Sequence, residues 1–137
     1  LFNLKNIKFD KLSSLLYVDR RGAPDKRQYG FNFKNKINLL TSMVHLSAKA
    51  NNEIYITEAN WPLENTAPYA PTSEKECVSE SDYSQYMQDY IKIAKGTNKI
   101  DKLYWHQLVA PGYGLVDNRD GVVRKTLAFY KFKQLLN

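Results

Sequence analysis

The spacing of apolar positions changes several times along the chain, and each change marks an element. Ser13-Ser14-Leu15-Leu16-Tyr17-Val18 is apolar on both faces of an extended backbone and predicts a strand. The stretch before it, with Leu1, Phe2, Leu4, Ile7 and Phe9, fits the tail of a helix or an irregular arm too short to stand alone. Residues 19–30 hold the Gly, Pro and Asp of turns. Over residues 31–50, Phe33, Ile37, Leu40 and Val44 recur at helical spacing, with Leu39, Met43 and Leu46 widening the stripe. Residues 53–59 return to a β-branched run and predict a second strand. A long loop follows over 60–81, with Pro62, Pro68 and Pro71. Ser79-x-x-Asp82 resembles a capping box that opens a helix through Tyr83, Tyr86, Met87, Tyr90, Ile91 and Ala94, closed by Gly96 as the C′ glycine. Residues 102–108 predict a third strand. Asp117-Asn118-Arg119-Asp120-Gly121 is a turn signal flanked by Leu115-Val116 and Val122-Val123, which together predict a small hairpin. The final helix is expected over 124–136, with Ala128, Phe129, Phe132, Leu135 and Leu136 on one face.

Strands that alternate with helices argue for an α/β fold with parallel strands and right-handed crossovers. Two architectures satisfy the pattern. One is a partial TIM (β/α)8 barrel of about three βα units, with two free sheet edges and an uncovered barrel-side face. The other is a small three-layer sandwich with helices on both faces of the sheet. In either case residues 1–137 read as a single domain.

The second strand ends abruptly in chemistry. Ile54-Tyr55-Ile56-Thr57 runs into Glu58, then Ala59, Asn60, Trp61 and Pro62. A buried strand that delivers a carboxylate to its C-terminal end is how a (β/α) barrel presents catalytic groups. By spacing alone an ordinary solvated glutamate explains Glu58 as well. Trp105 is either core or an aromatic platform, and His106 beside it is expected to be a loop-facing polar residue. His45 lies inside a helix and is expected to be structural. Glu53, Glu58 and Glu64 have no metal-ligand spacing with either histidine, so no metal or other cofactor is expected. Neither the serines nor Cys77 sits in a nucleophile elbow. Glu74 and Glu76 in the long loop could serve as a second acid, with nothing favouring either over solvent exposure, and Arg20-Arg21 could hydrogen-bond a sugar or an anionic group, with a surface pair as the plainer account.

Tyr55-Ile56-Thr57-Glu58-Ala59-Asn60-Trp61 resembles the seventh strand of the retaining (β/α)8 glycoside hydrolases of clan A, the cellulase and β-xylosidase group. Tyr104-Trp105-His106-Gln107-Leu108 resembles their eighth strand, and Leu15-Leu16-Tyr17 their sixth. Tyr113-Gly114-Leu115-Val116-Asp117, Gly121 and the helix from Thr126 resemble the usual ending of these enzymes. The match covers about residues 9–136, through motifs that are each short. The resemblance implies that Glu58 is the nucleophile, that Tyr17 contacts it, and that Trp105 forms the floor of the sugar site. It also implies that Asn60, Trp61 and His106 line that site and that the peptide between Trp105 and His106 is cis. Two departures stand out. Leu15 occupies the place where the family often has a histidine. The acid/base glutamate, which follows an asparagine at the end of the family's fourth strand, has no counterpart here. A hydrolase domain incomplete or inactive alone is therefore the first expectation. A non-catalytic carbohydrate-binding or assembly module of the same descent is the second.

Composition narrows the partners. The chain has 13% aromatic residues, ten of them tyrosines, which suits sugars or interfaces. Its net charge of +6 is scattered among 14 acidic residues with no run of five like charges, so nucleic acid is not an expected partner. No apolar run approaches the length of a membrane span and none resembles a signal peptide, which leaves the compartment open. A single cysteine forbids an intrachain disulfide. The first residue is Leu rather than Met, as expected of a fragment, a processed product or a trimmed chain. A sheet with open edges is expected to form a homo-oligomer or to pair with a missing N-terminal half.

Overall fold

The computed structural model describes residues 6–18, 22–27, 29–47, 54–64 and 77–136. Three strands, β1 (Leu12–Leu15), β2 (Ile54–Glu58) and β3 (Ile100–Leu103), form a parallel sheet in the order β1-β2-β3. Helices α1 (Phe33–Ser47) and α2 (Glu80–Gly96) follow the first two strands. A two-stranded antiparallel pair, β4 (Val116–Asp117) and β5 (Arg124–Lys125), precedes α3 (Leu127–Leu135). The fold is thus mixed α/β with parallel strands, as the alternation predicts. Among the described residues no helix is long and apolar enough to cross a membrane.

The sheet has one covered and one open face. Ile54 and Ile56 are fully buried, and Leu12 pairs with Ile54 on the same side. Their side of the sheet meets α1 and α2 through Leu16, Val18, Phe33, Ile37, Tyr83, Met87 and Tyr90. The other side carries Ser13, Leu15, Thr57 and Lys102, all exposed. Tyr55 also faces that way, with the ammonium groups of Lys11 and Lys102 5.6 and 5.4 Å from its ring centre. Among the described elements no helix covers this face, so the three-layer arrangement is not what forms.

Local signals account for the helix ends. Asn32 and Asn35 cap α1 reciprocally: the Asn35 N–H donates to Asn32 Oδ1 at 3.0 Å and the Asn32 N–H to Asn35 Oδ1 at 3.1 Å. Ser79 caps α2 as its motif predicts, accepting from the Asp82 N–H at 3.0 Å. The other end of α2 differs from expectation. Gly96 remains helical, Thr97 is the C-cap, and the left-handed residue is Asn98, with φ of 54°. Thr97 Oγ1 already ties the last turn by donating to the Ala94 carbonyl at 2.7 Å. In α1 the widened apolar stripe is not core: Leu39 and Leu46 are 51% and 83% exposed, and Phe33, Ile37 and Val44 carry the burial.

Two further elements shift. The third strand is Ile100–Leu103 rather than 102–108. Its aromatic continuation follows the end of β2 by single hydrogen bonds, Tyr104 N–H to the Ile56 carbonyl at 2.8 Å and His106 N–H to the Ala59 carbonyl at 3.2 Å. The hairpin pairs Val116 with Lys125 and Asp117 with Arg124. Val122 and Val123 are left in the loop, both 71% exposed. The buried carboxylate of Asp117 fixes the turn between β4 and β5 by pairing with Arg119 at 2.8 Å. Thr126 then caps α3, which begins later than expected.

Candidate functional site

Glu58 reaches the open face through an irregularity in the sheet. Ser14 lies opposite Ile56, and Leu15 lies opposite Glu58, so β2 uses one extra residue, Thr57, between the two pairs. Strict alternation would place Glu58 on the side of Ile54 and Ile56, under the helices. The bulge turns it instead toward the side of Leu15, which is 60% exposed. The Glu58 side chain retains 30% of its accessible surface there.

Neighbouring chain segments bring partners to that carboxylate. The Tyr17 hydroxyl, just beyond β1, donates to Glu58 Oε1. Tyr17 is itself held by Lys36 of α1, whose Nζ donates to the Tyr17 carbonyl at 3.2 Å. On the other side His106 Nδ1 lies 3.9 Å from the same Glu58 oxygen, an electrostatic contact longer than a hydrogen bond. Asn60, 5% exposed, places its amide nitrogen 3.4 Å from His106 Nδ1. Four of the residues named from sequence, Tyr17, Glu58, Asn60 and His106, therefore lie together at the C-terminal end of the sheet, while Trp105 packs against the core on the helix side.

Trp61 takes a different place. It is 1% exposed, and its indole N–H donates to the Gly22 carbonyl at 3.2 Å. Its ring stacks on Trp105 with centroids 5.8 Å apart and planes 20° apart. Trp105, half-buried, is also stacked on Tyr83 and met edge-on by Tyr90. The cis bond expected between Trp105 and His106 is not found: the cis peptide of this segment joins His106 to Gln107, and the Trp105 indole turns toward Tyr83 and Tyr90 of the helix layer, which counts against its forming the floor of a sugar site.

Sequence reasoning passed over Tyr83 and Tyr90, reading them as members of the apolar stripe of α2. Both are fully buried. Burial raises both hydroxyl pKa values well above the ordinary tyrosine range, so both stay protonated. Tyr90 donates to the Leu16 carbonyl and Tyr83 to the Tyr113 carbonyl. The available signal was residue type. A helix that buries tyrosine where leucine would pack must find a partner for each hydroxyl.

Asp117 was likewise read only as a turn residue. Its side chain is 2% exposed and forms an ion pair with Arg119 Nε at 2.8 Å. Burial by itself raises its pKa, but N–H donors from Gly112 and Arg119 and the charges of Arg119 and Arg124 outweigh that, and the net shift is downward. The segment it holds carries Tyr113, whose carbonyl accepts from the Tyr83 hydroxyl at 2.9 Å. Arg124 also binds Glu80, whose other oxygen accepts from the Leu127 N–H at 2.8 Å, so the starts of α2 and α3 are tied together.

Arg20, Arg21, Glu53, Glu74 and Glu76 lie outside the described residues, and His45 is exposed on α1. Among the described residues no three His, Cys, Asp or Glu side chains assemble as a metal site. An apolar groove lined by Ile91, Ala94, Ile100, Leu103, Phe132 and Leu135 contains none of the residues grouped around Glu58. No protein-family model and no curated protein matches the chain.

Proposed function

We propose that the cluster at the strand ends is the nucleophile half of a retaining glycoside hydrolase site, on a chain whose three βα units are part of a (β/α)8 barrel. The observation that carries this reading is the joint placement of Glu58 and Tyr17. Two separate strand ends bring a carboxylate and the hydroxyl that orients it to the open face. In the proposed step a Glu58 oxygen attacks the anomeric carbon, the bond from that carbon to the leaving oxygen breaks, and the leaving oxygen departs with the electron pair. That oxygen then needs a proton from a second carboxyl group about 5–5.5 Å from the first. Among the described residues the groups against Glu58 are a phenol and an imidazole, so these residues supply the attacking half. Trp61 then serves behind the site, bracing Trp105, rather than touching sugar.

The reading is tested with substrates whose leaving group needs no proton. Incubation with 2,4-dinitrophenyl 2-deoxy-2-fluoro-β-glucoside and the matching xyloside should release dinitrophenolate once per chain and leave a glycosyl adduct on the peptide bearing Glu58. The Glu58→Gln variant should give neither. Unactivated sugars should not turn over. Absence of any adduct at Glu58 with both sugars would remove the nucleophile assignment. A non-catalytic carbohydrate-binding module is the second reading, favoured by Tyr104, 51% exposed just beyond β3, an aromatic surface that needs no carboxylate; sugar binding unchanged in Glu58→Gln would select it.

A further inference from the structure

We infer that α3 and the turn before it form a surface that rests on an acidic lipid bilayer, a contact separate from the Glu58 cluster and independent of how that cluster is read. The starting observation is Val122 and Val123. Their pattern predicts strand, yet both are 71% exposed in the turn between β4 and β5. Two more large apolar residues, Leu127 and Tyr130, follow at 52% and 54% exposure. Ala128 is buried and Phe129 and Phe132 pack on the core, so helical spacing puts Leu127 and Tyr130 on the side of α3 turned away from it. Lys131 and Lys133, both exposed, flank that strip. Val123 precedes Leu127 by four residues, which limits their separation to about 14 Å. Scattered exposed apolar side chains need no explanation, but this many along one short segment mark a contact surface. Charge selects the occupant. Residues 122–136 hold Arg124, Lys125, Lys131 and Lys133 and no acidic side chain. Arg124 is held by Glu80 and Asp117, and Glu80 also accepts from the Leu127 N–H. Asp120, exposed in the turn, opposes the three lysines with a single charge. A two-fold contact through this surface would set the lysines against their own copies. Further βα units would join at the strand edges, not on the outer side of α3. A turn tip and the outside of a helix are convex, and a headgroup layer yields to convex shapes where a folded partner needs a matching groove. Aliphatic side chains and a tyrosine beside lysines are what a helix lying in an acidic headgroup layer presents. The contact is a surface one, since no helix among the described residues spans a membrane.

The test is co-sedimentation of the whole chain with vesicles of phosphatidylcholine alone or mixed equally with phosphatidylserine. The chain should sediment with the mixed vesicles only, and raising salt from about 0.1 to 1 M should release it. Each lysine near an acidic surface strengthens binding about fivefold, so Lys125→Gln, Lys131→Gln and Lys133→Gln combined should weaken it about a hundredfold. Val122→Ser with Val123→Ser leaves the charge unchanged and should weaken binding about tenfold. Both changes fall on exposed side chains, and circular dichroism should show each variant folded as the unmodified chain is. Equal sedimentation with both vesicle types, none with the mixed vesicles, or a valine variant that binds as the unmodified chain does would each overturn the proposal. Binding to soluble poly-glutamate as tight as to the mixed vesicles would also overturn it, in favour of an acidic protein partner. Should a variant not fold, the lipid, salt and poly-glutamate comparisons on the unmodified chain still decide.

Discussion

Replacing Asp117 should expose how much of the fold rests on one carboxylate. Its Oδ1 accepts the N–H of Gly112 at 3.0 Å and that of Arg119 at 3.1 Å. Its Oδ2 faces Arg119 Nε at 2.8 Å and Arg124 Nη2 at 3.4 Å. Hydrogen bonds to a charged acceptor contribute roughly 1.5–3 kcal/mol each, and leaving the buried Gly112 donor unpaired incurs a similar penalty. The Arg124 contact counts for little, because that side chain is 46% exposed and solvent screens it. Asp117→Ala should therefore destabilise the chain by about 3–4 kcal/mol, a large share of the roughly 5–15 kcal/mol typical of a domain. Asp117→Asn keeps an oxygen for both backbone donors but turns an NH2 group toward two guanidinium groups, and should cost about 1–2 kcal/mol. The pH dependence separates charge from packing. The folded pKa of Asp117 lies below its unfolded value of about 3.9, so its charge stabilises the fold above that pH and the benefit fades as pH falls through the folded value. Urea unfolding at pH 7 should show the full gap between the unmodified chain and Asp117→Asn, and unfolding at pH 3 a narrower one. A gap that stays constant between these pH values, or an alanine variant within 0.5 kcal/mol of the unmodified chain (roughly the noise of a surface substitution), would refute the argument.

Two other outcomes follow from named contacts. A Cβ at Gly114 would come within 3.0 Å of both the Ala110 nitrogen and the Val116 oxygen, backbone atoms that cannot give way. Gly114→Ala should thus destabilise the chain by roughly 1–3 kcal/mol in the same urea assay, and a neutral result would mean the 110–116 turn adapts freely. The sheet edges and the 60%-exposed Leu15 are expected to be covered by association with a second copy or further βα units. Light scattering over a dilution series should show a species larger than one chain, and Leu15→Lys should shift it toward monomer; a folded monomer at every concentration would count against the half-barrel reading.

The parts of the fold that sequence made legible are those decided by neighbours along the chain. The helical stripe of Phe33, Ile37 and Val44 and the Ser79 cap depend on spacing within one or two turns, and they form where expected. Errors occur where a distant partner outweighs the local signal. Val122 and Val123 look like strand, but Asp117 is held by Gly112 and by Arg119 within the turn, and the pairing falls two residues further on, at Arg124 and Lys125. Gly96 looks like a helix stop, yet Asn98 accepts the left-handed turn because Thr97 has already satisfied the carbonyls before it. The uncovered row predicted along the strands is mostly polar, since Ile54 and Ile56 point to the helices and the open side carries Ser13, Tyr55 and Lys102.

The same reasoning explains why the candidate site was identified from residues whose orientation sequence left undetermined. Ile54 and Ile56 are buried against the helix layer, so period-two alternation would bury Glu58 with them. Placing an unpaired carboxylate in that layer would cost several kcal/mol, whereas the bulge at Thr57 costs one exposed residue. The bulge also shifts the following residues by one position. Ala59 and Trp61 turn into the core, while Glu58 meets the Tyr17 hydroxyl across the β1 edge. Trp61 therefore becomes the buried brace and Trp105, half-buried, the more accessible indole of the stacked pair. Thus one extra residue in β2 determines both the outward direction of the carboxylate and the burial of Trp61.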